Sequence, residues 1–181
     1  MCIGICLINQ LSGQNAVNIY STTMFEDMGI SVSLGNIIVG GSNLLGVVIG
    51  IFVMKIGIGY RSAFIIGQFS EGFLLMLIAI LQWQGNHETA IVVLIGVFSA
   101  VFQIFVGSLT WPYMAQVTVT ESGYSASTLS LWLSVLSVSF CSVYLMRSLT
   151  TAGTFAFFSI MTLIGGMIFV CFLRESKGVP E

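Results

Sequence analysis

The chain has 181 residues, of which 56% are hydrophobic and only 7% are charged, and its formal net charge is −2. A soluble domain carries about 25% charged residues, so five basic and seven acidic side chains cannot keep the surface of this chain in water. The composition therefore excludes a water-soluble globule and predicts an all-α integral membrane protein. The acidic balance also argues against a nucleic-acid partner, because such partners require a basic surface.

Six apolar segments are long enough to cross a bilayer, which takes about 20 residues for roughly 30 Å of hydrocarbon. They cover about residues 2–25, 31–54, 62–82, 89–110, 122–146 and 152–173. The connections between them are short and leave no soluble domain. We therefore predict that residues 1–181 form one bundle of six transmembrane helices in contact with lipid.

The basic residues predict that both ends of the bundle face the cytoplasm, because Lys and Arg are enriched in cytoplasmic loops. Lys55 and Arg61 lie between the second and third spans, and Arg174 and Lys177 follow the sixth. Only Arg147 lies on the opposite side.

The first residues lack a positively charged region and continue as an apolar run, unlike a signal peptide. We expect the chain to be a fragment or a truncated gene product.

The first span carries many uncharged polar side chains. On a helical wheel, a wedge of roughly 140° contains Gln10, Gln14, Asn15, Asn18, Ser21 and Thr22. Asn9 falls nearer the opposite side, unless Gly13 unwinds the helix. An unsatisfied amide in hydrocarbon costs several kcal/mol. A wide stripe therefore favours a solvated pathway or a ligand site over bonds between helices, which would explain one or two amides. Amides suit a neutral solute rich in hydroxyl groups, because each offers a donor and an acceptor.

The second span places Asn43 on one face with Asn36, and it contains glycines at positions 46 and 50. Small residues four apart allow another helix to approach closely. In the fourth span, Gln103 and Trp111 lie near one face, and Gly107 and Pro112 predict a break in the helix. The indole of Trp111 could stack on a sugar ring or anchor the span at the membrane interface.

Glu71 is the sole ionisable side chain in the middle of a span. Intramembrane carboxylates are candidates for function, and proton coupling is one interpretation. A neutral carboxylic acid bonded to a neighbouring helix is the other.

The four cysteines fall within spans and have no histidine cluster beside them, which favours helix packing over metal binding. No metal or other cofactor is expected.

Several motifs resemble those of the sugar porters, which are the facilitative glucose transporters and sugar–proton symporters of the major facilitator superfamily. The stretch NQLSGQNAV at residues 9–17 resembles the signature Q-Q-L-S-G-x-N-A that opens their seventh helix, and residues 20–22 continue its Y-Y-S-T. The stretch GYRS at 59–62 is similar to their G-R-R motif. The stretch GSLTWPYMAQ at 107–116 resembles the helix-ten motif G-P-x-x-W-x-x-x-[AS]-E, and RESKG at 174–178 resembles P-E-T-K-G.

The resemblance implies that the chain is the C-terminal half, helices seven to twelve, of a twelve-helix transporter. It places sugar-binding positions on Asn9, Gln10, Asn15, Asn43, Gln103 and Trp111, and it matches Tyr20 to a tyrosine of the extracellular gate. It also implies a partner, either an N-terminal six-helix half or a second copy of this chain. Departures include Asn9 in place of a glutamine and Gln116 in place of the helix-ten glutamate.

The function implied by the resemblance is transport of a neutral sugar, such as a hexose, by alternating access in the plasma membrane. The alternative is a truncated membrane protein that binds sugar or regulates without transporting it. An enzyme is not expected, because the sequence has no glycine-rich phosphate loop, no H-E-x-x-H motif and a single histidine.

Overall fold

The computed structural model describes residues 2–27, 29, 31–85 and 87–173, with the side chains of residues 2, 19–24 and 27 outside the description. The described part forms seven α-helices and one π-helical segment. They are α1 (Cys2–Leu11), α2 (Gln14–Asp27), α3 (Val32–Ile56), α4 (Tyr60–Gln84), α5 (Glu88–Phe102), the π-helical segment Gln103–Gly107, α6 (Ser108–Val117) and α7 (Glu121–Phe172).

Four helical stretches of the described residues are long and apolar enough to cross a membrane. They are α3, α4, the continuous stretch Glu88–Val117 and α7. The predicted second, third and fourth spans each fall within one of the first three stretches. The predicted first span is divided between α1 and α2, and the predicted fifth and sixth spans both fall within α7. The all-helical architecture is as expected from the composition.

The bend between α1 and α2 is centred on Gly13, which has a φ of +77°. Residues other than glycine rarely adopt this left-handed conformation. A Cβ atom at this position would also lie 2.7 Å from Cγ of Phe158. The local unwinding that the glycine could permit therefore occurs, and it divides the segment into helices of 10 and 14 residues.

Helix α7 has 52 residues, which would extend about 78 Å if it were straight. Its backbone leaves the helical conformation at Thr150, with a φ of 63° and a ψ of 168°. Val138 and Phe158 line the same cavity, although a continuous helix would hold them about 30 Å apart. The chain therefore folds back near Thr150, and residues 121–149 and 151–172 lie side by side.

Two large apolar clusters and a smaller one of Cys6, Met114 and Leu131 hold the described helices together. The Tyr60 cluster joins the start of α1, the start of α4, the π-helical segment, α6 and the end of α7; its members include Ile5, Phe64, Val106, Tyr113 and Phe169. The Phe98 cluster joins α2, α3, α4, α5 and both parts of α7; its members include Phe25, Val39, Ile78, Ile95, Val138 and Phe155.

Helix α3 packs against the π-helical region through its glycines, as the small-residue spacing predicts. A Cβ atom on Gly46 would lie 2.6 Å from the carbonyl oxygen of Ala100. A Cβ atom on Gly50 would lie 3.0 Å from Oγ of Ser108. The opposite face of α3 is apolar and exposed, with Ile37 at 69% and Leu44 at 67%. This face is suited to lipid or to another apolar surface.

The helix break predicted at Gly107 and Pro112 takes another form. Residues Gln103–Gly107 form a π-helical turn, and α6 continues through Pro112 to Val117. The prediction of a break at Pro112 is therefore wrong, whereas Gly107 ends the irregular segment. The π-helical turn is an insertion in the α-helical ladder of the kind often found at functional sites.

Candidate polar binding site

Asn9 and Gln10 place their amides in the interior at the end of α1, where they are 4% and 6% exposed. The Asn9 Nδ2 group donates a hydrogen bond of 2.7 Å to Oγ1 of Thr110. The Thr110 hydroxyl in turn donates to the carbonyl oxygen of Val106, also at 2.7 Å. Asn9 is thereby tied to α6 and to the π-helical segment. Its Oδ1 atom is buried and has no hydrogen-bond partner in the described part of the chain.

The bend brings two predicted site residues together across Gly13. The Asn15 Nδ2 group donates to Oε1 of Gln10, so an amide of α2 is bonded to an amide of α1. The Ser12 hydroxyl donates to the Asn9 carbonyl oxygen at 2.8 Å, which satisfies one of the acceptors freed at the end of α1. The amides of Gln10 and Asn15 therefore form a bonded pair across the bend, and the four amide side chains of residues 9, 10, 14 and 15 on its two sides are called the polar cluster.

Gln14, the first residue of α2, lies within hydrogen-bond distance of side chains on two further helices, α3 and α5. Its Nε2 group lies 3.2 Å from Oδ1 of Asn18, 3.4 Å from Oδ1 of Asn43 and 3.4 Å from Oγ of Ser99. An amide has only two N–H bonds, so it can serve two of these three acceptors at one time. The Gln14 Oε1 atom is buried without a partner among the described residues. The polar cluster thus offers unused acceptors and an exchangeable donor.

Gln103 and Trp111 lie on the π-helical segment and on α6, and neither takes part in the hydrogen bonds of the polar cluster. Gln103 opens the π-helical segment and is half-buried, and its side-chain Oε1 folds back over Gly107. Its carbonyl oxygen accepts a bond of 2.6 Å from the hydroxyl of Ser108. The indole of Trp111 is 41% exposed. Within the described residues, neither side chain makes a hydrogen bond, so both remain available to a ligand.

Four of the six predicted sugar positions take part in three separate sets of side-chain hydrogen bonds: Asn9 with Thr110, Gln10 with Asn15, and Asn43 with Gln14. Gln14 and Thr110 are not among the site residues predicted from the sequence, although both bridge helices here. The helical wheel of the first span places Gln14 on its polar face. Nothing in the sequence distinguished Thr110 from other hydroxyl residues, because its role depends on the neighbouring helix.

The two other predicted positions are the gate residue and the candidate for proton coupling. The side chain of Tyr20, the predicted gate, lies outside the described residues. Glu71 is fully buried in α4, and neither of its carboxyl oxygens has a hydrogen-bond partner in the described part. The interpretation of Glu71 as a neutral acid bonded to a neighbouring helix therefore finds no such bond. Within the described residues there is also no group of three or more His, Cys, Asp or Glu side chains that could hold a metal.

These features define a helical membrane bundle with an uncharged polar cluster where a bent helix meets a π-helical turn. The sequence family described as "Sugar (and other) transporter" matches residues 1–180. The chain belongs to this family, and with its long apolar helices it is a membrane protein.

Individual relatives and one solved structure agree with this assignment. The "Putative metabolite transport protein YfiG" of Bacillus subtilis is 27% identical over 186 residues, which include 97% of this chain and 38% of the relative. "Myo-inositol transporter 1" of Saccharomyces cerevisiae is 27% identical over 176 residues, covering 86% of this chain and 30% of the relative. This chain therefore spans only about a third of the length of such relatives.

The solved structure is that of "the MFS (major facilitator superfamily) proton:xylose symporter XylE bound to 6-bromo-6-deoxy-D-glucose". It superposes with a TM-score of 0.87 at 18% identity, covering 98% of this chain and 40% of that protein. At this identity the likeness establishes the fold. The family members named here are transporters, and none of their names describes an enzyme.

Proposed function

We propose that this chain is the C-terminal half of a transporter that carries a neutral sugar by alternating access, and that the polar cluster is its contribution to the sugar site. The observation that carries this proposal is the set of uncharged amides held at the bend between α1 and α2. Two of their oxygens, Oδ1 of Asn9 and Oε1 of Gln14, are buried without partners among the described residues. Sugar hydroxyls can donate to such acceptors and accept from the neighbouring N–H groups.

Six membrane crossings are part of the proposal, and the packing at one end of the bundle supports this number. Ile5, Met54, Tyr60 and Leu173 pack in or against the Tyr60 cluster at one end. In addition, the Arg61 guanidinium donates a bond of 2.8 Å to the carbonyl oxygen of Val170. The starts of α1 and α4 thus lie beside the ends of α3 and α7. This is consistent with α1 and α2 together crossing once and α7 crossing twice.

The orientation is proposed from the basic residues, and the membrane is proposed by analogy. Lys55 and Arg61 flank the turn between α3 and α4 at the end that also contains the start of α1 and the end of α7. The enrichment of basic residues on the cytoplasmic side supports a cytoplasmic location for this end and for both chain termini. Placement in the plasma membrane rests on analogy with sugar porters alone.

The substrate class is proposed from the site chemistry and from relatives. The cluster around Gln14 contains no charged side chain among its described partners, which favours a neutral polyhydroxyl solute over an anion or a cation. Relatives are named as a glucose transporter in Staphylococcus epidermidis and as a myo-inositol transporter in yeast. We propose a hexose, with Trp111 supplying an apolar platform and Gln103 a further amide. Tyr20 is proposed to contribute to the extracellular gate.

The partner is proposed to be a second six-helix bundle, because the chain matches 38% or 40% of the full relatives. Transporters of this superfamily bind substrate between two halves related by an axis along the membrane normal. The second bundle would be an N-terminal half or a second copy of this chain. The exposed apolar face of α3 offers such a bundle an uncharged surface.

Uptake of radiolabelled glucose and fructose tests the proposal in a yeast strain that lacks its own hexose transporters. The chain is expressed alone and with a complementary N-terminal half. Gln10→Ala and Trp111→Ala are expected to weaken apparent affinity about 5- to 150-fold, because each removes a contact worth about 1–3 kcal/mol. Trp83→Ala is the matched control, since this indole is 87% exposed at the far end of α4.

Uptake only in paired cells, weakened by the two site substitutions and unchanged by Trp83→Ala, would support a C-terminal half that contacts sugar. Uptake by the chain alone would identify a second copy as the partner. Absence of uptake in both arrangements, with the chain present in the membrane, would refute transport and leave a non-transporting membrane protein.

A further inference from the structure

Two polar side chains on α4 are completely buried, and none of their polar atoms has a partner among the described residues. Gln68 and Glu71 are both 0% exposed. The unpartnered atoms are Nε2 and Oε1 of Gln68 and both carboxyl oxygens of Glu71. The two residues are three apart on one helix, so their side chains emerge on the same face. Buried polar atoms are nearly always paired, and four unpaired atoms on one face therefore indicate a bound species.

The packing around this pair explains why no protein group reaches it. A Cβ atom on Gly165 would lie 3.4 Å from Oε1 of Gln68, and one on Gly67 would lie 3.7 Å from Oε1 of Glu71. Glycines thus form the near walls, and they bring no side-chain donors or acceptors.

The nearby hydroxyl groups of α7 already donate to the backbone. Ser159 donates to the carbonyl oxygen of Gly72 and Thr162 to that of Phe158, both at 2.7 Å. Gly72 belongs to α4, so the Ser159 bond crosses the interface that contains Glu71. These two hydroxyls therefore do not donate to the acceptors on Glu71 and Gln68, which have no donor among the described residues.

No charged side chain faces Glu71 from the helices packed on α4. By sequence, α1, the π-helical segment, α6 and residues 151–173 contain no Lys, Arg, His, Asp or Glu. The charged residues of the other packed segments stand near helix ends, with Glu88 starting α5 and Glu121 and Arg147 in the first part of α7. The remaining titratable side chains on these helices are Cys2, Cys6, Tyr113, Tyr124, Cys141, Tyr144 and Cys171.

An ionised carboxylate in such surroundings would be an unpaired buried charge, which costs far more than a buried neutral group. Binding one proton removes the charge and adds an O–H donor that can reach the amide oxygen of a residue three positions away. We propose that Gln68 and Glu71 form a proton-binding site, separate from the sugar site, that links transport to proton movement. Glu71 takes the proton from hydronium, releasing water, and returns it to water on the other side of the membrane.

The site adjoins the polar cluster through direct packing. A Cβ atom on Gly165 would lie 2.5 Å from Cγ2 of Ile8, the residue before Asn9. A Cβ atom on Gly67 would lie 2.7 Å from Cβ of Phe105 in the π-helical segment. A shift of α4 against α7 that admits water to Glu71 would therefore move the walls of the sugar site. Such close packing is a physical route for coupling between two sites.

The coupling role rests on the proposed sugar transport, whereas proton binding by itself does not, and two measurements separate them. Infrared spectroscopy of the purified chain in lipid nanodiscs detects the carbonyl stretch of an un-ionised carboxylic acid. At neutral pH this band is expected in the unmodified chain and absent in Glu71→Gln. Gln68→Leu is expected to shift it by removing the neighbouring amide. Glu121→Gln is the matched control, because this exposed carboxylate starts α7.

The second measurement is sugar uptake into proteoliposomes that contain the chain with its complementary half. An inward proton gradient is expected to drive accumulation above equilibrium in the unmodified and Glu121→Gln proteins. Glu71→Gln is expected to lose this accumulation while retaining downhill uptake.

Each outcome bears on one of the two claims. Accumulation that persists in Glu71→Gln would overturn the coupling role, as would accumulation driven by sodium alone. The lack of a carboxylic acid band, or a band insensitive to Glu71→Gln, would overturn proton binding. Absence of all uptake in the unmodified pair would instead refute the transport function and with it the coupling role, and the infrared band would still decide whether the site holds a proton.

Discussion

Replacing Gly13 with alanine tests the bend that positions the polar cluster. The substitution adds a single methyl group at a backbone with a φ of +77°, and its Cβ atom would lie 2.7 Å from Cγ of Phe158. The Phe158 ring is 4% exposed, so it has little room to move away. Two separable costs are therefore expected, one from the backbone conformation and one from the steric contact.

The two costs can be estimated from their physical origins. A residue with a Cβ atom in the left-handed conformation costs about 1–2 kcal/mol, and overpacking a well-packed interior costs about 1–3 kcal/mol. We expect Gly13→Ala to lower the free energy of unfolding by about 2–5 kcal/mol, the sum of these terms. Sugar binding should weaken as well, because the bend sets the relation of Gln10 to Asn15.

Thermal unfolding of the purified protein in mild detergent measures the effect, and two further glycines isolate its components. Gly85→Ala carries the backbone cost alone, since its φ is +78° and no atom lies within 4 Å of the added Cβ. Gly46→Ala carries the steric cost alone, against the carbonyl oxygen of Ala100. Gly13→Ala should be the most destabilising of the three. If it is no worse than Gly85→Ala, the contact with Phe158 is absent and the reasoning about the bend fails.

Two further predictions concern single hydrogen bonds between helices. Thr110→Val removes the hydroxyl that accepts from Asn9 and leaves a buried amide unsatisfied, so it should cost about 1–3 kcal/mol in thermal unfolding and also weaken sugar binding. Thr118→Val is its control, because that hydroxyl bonds only within its own helix region, and equal effects would contradict the prediction. Ser159→Ala removes the bond to Gly72 across the α4–α7 interface and should cost about 1 kcal/mol. An unchanged melting temperature for Ser159→Ala would contradict that assignment.

Several features could be predicted from sequence because they depend on local composition and spacing. The near absence of charge determines a membrane protein, since no arrangement of these residues could cover a soluble surface with polar groups. The glycines at 46 and 50 predict close packing because their spacing places both on one helix face, wherever the partner helix lies. The motif around Asn9 and Gln10 indicates the family, because a short motif can be recognised where the rest of the sequence has changed.

Other features could not be read from periodicity. The helical wheel assumes an uninterrupted helix, whereas the positive φ of Gly13 changes the direction of the chain. The wheel also could not show that the Asn9 amide bonds to Thr110 of α6. The fold-back of α7 at Thr150 also depends on packing, through contacts between its two parts. The prediction of a break at Pro112 failed because the irregularity is accommodated by the π-helical turn before it.

The sequence by itself determined that this protein is a helical membrane bundle of the sugar-transporter family, and it supplied the uncharged amides. Only the tertiary structure decided which of those amides meet, that Gln14 lies within reach of α3 and α5, and that Glu71 and Gln68 are walled by glycines. The physical reason is that hydropathy and motifs are properties of neighbouring residues along the chain. The partners of a buried polar atom are set by helices distant in sequence.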